Sequence, residues 1–270
     1  MARRPVSILD FYSPELPVAT EFRRLLQRIQ SFSTESENKA IMITSAMLAE
    51  GKSTICSFLA LTAARQKGLK TLIIDTDLRR PSIHKLFGMD RERGLAEVLS
   101  GDLSAAKVVR QTDLEQLHII NAGLRSERPS ELFNVEVISR IIDDLKFYYD
   151  LIFVDCAPIL PVSDPMLLAP KMDAILLVVK AGATQKEVVE RAVDILGADG
   201  NRITGVVLNN MNNSLPYYYD YKYYDYDSPV DSAKHRRGDR RRKRQSRSRS
   251  SRQTASRLTS KNNDTPKRFP

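Results

Sequence analysis

Ile41-Met42-Ile43-Thr44-Ser45-Ala46-Met47-Leu48-Ala49-Glu50-Gly51-Lys52-Ser53-Thr54 is the stretch from which the rest of the chain can be read. It begins as an apolar run, Ile41–Thr44, continues through a loop, and ends on Gly-Lys-Ser-Thr where helical periodicity starts. A strand–loop–helix of this kind aims successive backbone N–H groups and a helix N-terminus at a phosphate. Glu50, Gly51, Lys52, Ser53 and Thr54 are therefore candidate nucleotide-binding residues. Lys52 is placed to neutralise β- and γ-phosphates, and the Ser53 hydroxyl to ligate Mg²⁺. The loop departs from the usual pattern at its first glycine, which is Ala46 here, while Leu48 and Ala49 add bulk.

Working outward, short apolar runs alternate with amphipathic stretches. Thr71–Ile74, Leu117–Ile120, Leu151–Val154, Ala174–Val179 and Ile203–Leu208 read, with Ile41–Thr44, as buried strands. Ser53–Lys67, Val135–Tyr148 and Gln185–Leu196 have helical periodicity, and Gly68, Gly94, Gly101, Gly182 and Gly197 punctuate the pattern. The alternation predicts an α/β fold of P-loop NTPase type: a doubly wound, mostly parallel sheet flanked by helices. Residues 1–40 read as an N-terminal extension with a short helix, Thr20–Ile29, that carries Phe22, Leu25, Leu26 and Ile29 on one side. The P-loop domain is expected over 41–212.

Two further segments add carboxylates. Asp75 and Asp77 follow the Thr71 strand, and Asp155 ends the Leu151 strand as a Walker-B aspartate does. In a parallel sheet these strand ends face one crevice. Ser53, Asp77 and Asp155 are thus the candidate Mg²⁺ ligands, and ATP with Mg²⁺ the expected cofactor pair.

Composition bounds the rest. The chain has 270 residues, and no apolar run approaches the ~20 residues that a membrane span needs, so a cytoplasmic protein is expected. Cys56 and Cys156 lie in apolar runs and read as reduced, buried thiols, and the three histidines have no zinc spacing. The net charge of +9 is unevenly spread. From Lys234 to Pro270 there are 15 Lys and Arg against 2 Asp, whereas Met1 to Ala233 carry 27 basic against 31 acidic residues. The Arg/Ser-rich tail, 232–270, has too little apolar surface to order itself, and no base-reading fold accompanies it. An anionic membrane surface is its expected partner, and sequence-specific nucleic acid is not. Just before the tail, in the segment 213–231, Tyr217, Tyr218, Tyr219, Tyr221, Tyr223, Tyr224 and Tyr226 hold seven of the ten tyrosines in the chain.

The order Gly51-Lys52-Ser53-Thr54, Asp75-Thr76-Asp77-Leu78-Arg79-Arg80-Pro81, Asp155-Cys156-Ala157-Pro158 and the tyrosine run resembles the bacterial tyrosine kinases (BY-kinases) of capsule and exopolysaccharide production. The likeness runs from about Leu16 to Asp227 and includes Pro129–Leu132, Val162–Asp164 and Gly205–Asn209. It implies an ATP-dependent protein-tyrosine kinase that autophosphorylates the seven clustered tyrosines. It also implies that Asn209 helps to bind adenine, that Asp75 orients and deprotonates the tyrosine hydroxyl, and that Arg79 stabilises charge or contacts a neighbouring subunit. A salt bridge within its own loop is the other reading of Arg79. Lys52, Asp75, Asp77, Asp155 and Arg79 are then the catalytic set. The resemblance further implies a transmembrane activator (a polysaccharide co-polymerase), a cognate tyrosine phosphatase, a place at the inner face of the plasma membrane, and a homo-oligomer. The oligomerisation motif Glu-x-x-Arg-x-x-Arg is incomplete, because Gln27 follows Glu21 and Arg24.

Two other classes fit parts of the chain. A MinD/ParA-like ATPase explains the nucleotide site but leaves the tyrosines without a purpose, and such proteins carry an extra lysine where Ala46, Met47 and Leu48 stand. A non-enzymatic nucleotide-binding scaffold would account for Leu48 and Ala49, but not for the intact Lys52, Ser53 and three aspartates.

Overall fold

The apolar runs lie side by side in the computed structural model of the chain, which describes residues 6–31, 39–197 and 203–210. The tyrosine run and the basic tail lie outside the described residues. A 3-10 turn, Ile8–Asp10, precedes α1 (Pro17–Ser31), β1 (Ala40–Ser45), α2 (Lys52–Lys67) and β2 (Thr71–Asp75). Short pieces follow: α3 (Ile83–Leu86), α4 (Leu95–Leu99), α5 (Ala105–Val108) and β3 (Val109–Gln111). Next come β4 (Leu117–Ile120), α6 (Pro129–Leu132), α7 (Val135–Leu145), β5 (Leu151–Asp155) and α8 (Asp164–Leu168). A second 3-10 turn, Ala169–Lys171, leads into β6 (Ala174–Lys180), α9 (Lys186–Gly197) and β7 (Ile203–Asn209).

The strands form one sheet in the order β3-β4-β2-β5-β1-β6-β7. Only the β3–β4 pairing is antiparallel among the described residues. β1 lies between β5 and β6, and the chain winds away from it on both sides, so a ligand crevice opens at the carboxyl end of β1. Successive strand residues point to opposite faces. Met42, Leu72, Ile74 and Val154 pack with Ile138, Ile142 and Leu145 of α7 and Leu196 of α9. Ile41, Ile43, Ile73 and Phe153 pack with Leu59 and Ala63 of α2 and Leu26 and Ile29 of α1. Both faces of β1, β2 and β5 are therefore covered, which is why these strands read as unbroken apolar runs.

Three local features differ from the sequence reading. β3 and the short helices between Asp77 and Leu117 span three to five residues each, too few for a period to show. Helix α7 stops at Leu145 rather than Tyr148, because Tyr149 turns in to meet the His118 ring edge-on at 5.6 Å. Helix α1 is longer than expected, and the N-terminal segment packs on the domain. Phe22 stacks on Phe58 at 5.2 Å, and Tyr12 Oη pairs with Thr62 Oγ1 at 3.0 Å. Glu21 and Arg24 lie on its solvent side, 2.7 Å apart. Among the described residues no helix is long and apolar enough to cross a membrane.

Candidate nucleotide and phosphotransfer site

Strand pairing assembles the site before any side chain is considered. Ile43 of β1 and Asp75 of β2 both stand in register with Asp155 of β5. The carboxyl ends of three strands therefore meet where the 45–51 loop leaves β1. Gly51 closes that loop at φ 92, a left-handed conformation that suits glycine, and α2 starts at the next residue. A Cβ on Gly51 would also lie only 2.1 Å from Asn209 Nδ2.

Lys52 Nζ lies 3.1 Å from Asp77 Oδ2 and 3.6 Å from Asp155 Oδ1. The Ser53 hydroxyl donates to Asp155 Oδ2 at 2.6 Å. All four residues predicted to handle phosphate and metal thus converge. Burial by itself lowers the pKa of Lys52, but the charges of Asp155, Asp77 and Asp75 outweigh it and hold the ammonium above its ordinary value. Burial raises Asp155, opposed by Lys52 and by the Ser53 hydrogen bond. Among the described residues no group of three or more His, Cys, Asp or Glu is arranged to hold a metal by itself. A Walker-type ion does not need one, since phosphate and water supply most of its oxygens. Asp155 Oδ1 is buried without a hydrogen-bond partner, and with the Ser53 hydroxyl it offers Mg²⁺ the hard oxygen donors it prefers.

Asp75 departs from its expected place at the open crevice. It is fully buried, and its carboxylate accepts the backbone N–H groups of Asp77 at 3.1 Å, Ser82 at 3.1 Å and Ile83 at 3.2 Å. Burial first, and then the Asp155 charge, push its pKa up to about 8 against the pull of Lys52 and the amides. The Asp-x-Asp spacing explains the inward turn: Asp75 ties down the 77–83 turn while Asp77 faces Lys52. Arg79 does not bond within its own loop. Its Nε lies 3.6 Å from Asp164 at the start of α8.

The Glu50 side chain also points away from the phosphate side. It accepts the amides of Met47 at 2.6 Å and Lys180 at 3.3 Å, and the Thr184 hydroxyl. Glu50 therefore holds the loop against the β6–α9 turn, and only its backbone remains for a nucleotide. Asn209 Nδ2 donates to the Glu50 carbonyl at 2.9 Å, which brings the end of β7 onto the loop. Thr54 is half-buried in the first turn of α2. The cysteines are free thiols: Cys156 receives the Thr76 hydroxyl at 3.2 Å, and burial pushes it up to about 12. Thr184 and Lys180 were missed in the sequence because they act on the loop from 134 and 130 residues away, with no local pattern to mark them.

A lysine and a hydroxyl at a helix start, facing strand-end carboxylates at the switch point of a parallel sheet, define a P-loop nucleotide-binding protein. A family model described as an AAA domain matches residues 38–195. The chain is 33% identical over 226 residues to the putative tyrosine-protein kinase CapB of Staphylococcus aureus, covering 81% of this chain and 99% of CapB. The kinase domain of Escherichia coli tyrosine kinase ETK superposes with a TM-score of 0.74 at 30% identity, over 81% of this chain and 86% of that one. The septum site-determining protein MinD of Pyrococcus horikoshii OT3, complexed with Mg-ADP, shares the fold at a TM-score of 0.55 and 24% identity, over 63% of this chain and 69% of that one. The chain belongs to the bacterial tyrosine-kinase family.

Proposed function

We propose that the chain is an ATP·Mg²⁺-dependent protein-tyrosine kinase that phosphorylates its own Tyr217–Tyr226 run and thereby regulates capsular or exopolysaccharide synthesis and export. The convergence of Lys52, Ser53, Asp77 and Asp155 on one point supports this most strongly. Phosphoryl transfer asks little covalent chemistry of a protein, so positioning and charge neutralisation carry most of the rate. Lys52, paired here with two carboxylates, exchanges that pairing for the phosphates. The amides of Gly51 to Thr54 orient the phosphates, and Asn209 the adenine. Ser53, with Asp77 and Asp155, would hold Mg²⁺, which would neutralise charge on the transferred group. Asp75, whose raised pKa suits a base working near neutrality, accepts the tyrosine proton once the hydroxyl takes the place of the Ser82 and Ile83 amides. Arg79 stabilises charge or reaches a neighbouring copy.

In this reading the chain works at the inner face of the plasma membrane with a transmembrane activator, and a phosphatase resets it. The basic tail rests on anionic lipid until tyrosine phosphates, each adding about −1.5 to −2 charge, neutralise it. Phosphotyrosine mass spectrometry on protein incubated with ATP·Mg²⁺ and an activator fragment, beside Lys52→Ala, tests the proposal. Phosphate on the run should fall at least ~100-fold in the variant. ATP hydrolysis with a bare run would favour a MinD-like ATPase, and nucleotide binding without turnover a scaffold.

A further inference from the structure

Next to the phosphate site the surface opens into a cleft of about 790 Å³, of whose basic lining the phosphotransfer scheme uses only Arg79. Arg79, Arg80, Lys85, Arg91 and Arg125 line it, and Glu127 is the only carboxylate residue among its lining. Arg91 is anchored by its Nε on the Gly123 carbonyl at 2.9 Å, and Arg79 leans on Asp164. Among the described residues Arg80, Lys85 and Arg125 have no carboxylate partner. Ser82 belongs both to this cleft and to the shell of Asp75, whose carboxylate its amide holds at 3.1 Å. The cleft therefore opens beside the expected proton acceptor.

We infer that this cleft binds a phosphotyrosine, that of an already modified tail on a second copy of the chain, and so primes the next transfer. The inference rests on the kinase reading. So many guanidinium and ammonium groups exceed what one aspartate could neutralise, whereas a phosphate brings nearly two charges and three acceptor oxygens. Guanidinium forks also suit phosphate geometry. The substrate has the matching form: seven tyrosines within ten residues. With one phosphotyrosine seated, another tyrosine of the run always stands within one or two residues, about 3.5–7 Å of extended chain. A lone tyrosine could not use such a site; a crowded run can.

The test reads binding rather than transfer. It uses the full chain with its seven clustered tyrosines changed to phenylalanine, and labelled peptides spanning residues 214–228, either unmodified or phosphorylated at Tyr221 alone. Fluorescence anisotropy should show the phosphopeptide binding at least about tenfold more tightly. That preference should vanish in Lys85→Ala/Arg125→Ala, which changes two exposed side chains and leaves ATP-analogue affinity intact. Equal affinity for the two peptides would show that the cleft reads only acidic residues and would overturn the inference. So would a preference that survives the double substitution. A chain that binds the phosphopeptide selectively yet modifies no tyrosine would overturn the kinase reading, and the priming role with it, but not the binding site.

Discussion

On one side of the phosphate loop, Lys52, Ser53, Asp77 and Asp155 are buried or nearly so and already bonded to one another. On the other, Met47 and Leu48 stand 45% and 43% exposed, and Ala49 is held at φ 61, a left-handed conformation that L-residues avoid. The first side is fixed by the strand ends that carry it, because a buried charge must find a partner and the sheet register supplies only those partners. The second is held from outside, by Glu50 reaching to Thr184 and Lys180 and by Asn209 reaching to the Glu50 carbonyl. Chemistry is thus built into the sheet, while the shape of the loop depends on tertiary tethers.

The sharpest way to break this contrast is Gly51→Ala, where the two sides join. A left-handed φ and a 2.1 Å approach to Asn209 act together, and a loss of about 2–4 kcal/mol in urea unfolding is expected, with nucleotide affinity falling as well. An unchanged midpoint would mean that Asn209 does not bear on the loop. Asp75→Asn probes the built-in side through pH. Asp75 has an ordinary pKa of 3.8 and a folded value of about 8. Between these values the native state keeps a proton that the unfolded chain releases. Stability of the ligand-free protein therefore falls as pH rises through that window and levels off above it. The asparagine variant should show a shallower decline between pH 4 and 8, read by thermal melts; an identical slope would assign the titration elsewhere.

Smaller effects belong to the tethered side. Asn209→Ala removes the donor to the Glu50 carbonyl and should cost about 0.5–1.5 kcal/mol while weakening ATP more than a phosphate-only ligand, measured by calorimetry. Equal weakening of both ligands would argue against an adenine contact. Ala49→Gly relieves the left-handed strain at some entropic cost, so a gain of only about 0.5–1 kcal/mol is expected from the melting curve.

Much of the fold could be read directly because its signals are local. A strand covered on both faces must be apolar throughout, so β1, β2, β4, β5 and β6 announced themselves within a residue or so of their observed ends, whereas β7, expected to be buried, is an edge strand on which Val206 and Leu208 stand exposed. The segment from Asp77 to Leu117 did not, since its elements are too short to display a period. Within the site, Lys52, Ser53 and Asp155 followed from residue type and position on a strand–loop–helix. The direction of Asp75, the partner of Arg79 and the inward turn of Glu50 did not. Each is settled by a residue that is remote in sequence or by backbone amides whose orientation no side-chain pattern encodes.

By itself, then, the sequence determined a parallel α/β sheet with a phosphate loop and strand-end carboxylates, because hydrophobic periodicity and glycine-lysine-serine chemistry are properties of neighbouring residues. Only the tertiary structure decided which carboxylate meets Lys52, which is sealed from solvent, and that Arg80, Lys85, Arg91 and Arg125 share one cleft. Those outcomes depend on burial and on contacts between distant segments, and desolvation sets the cost of a charge only once its surroundings are complete.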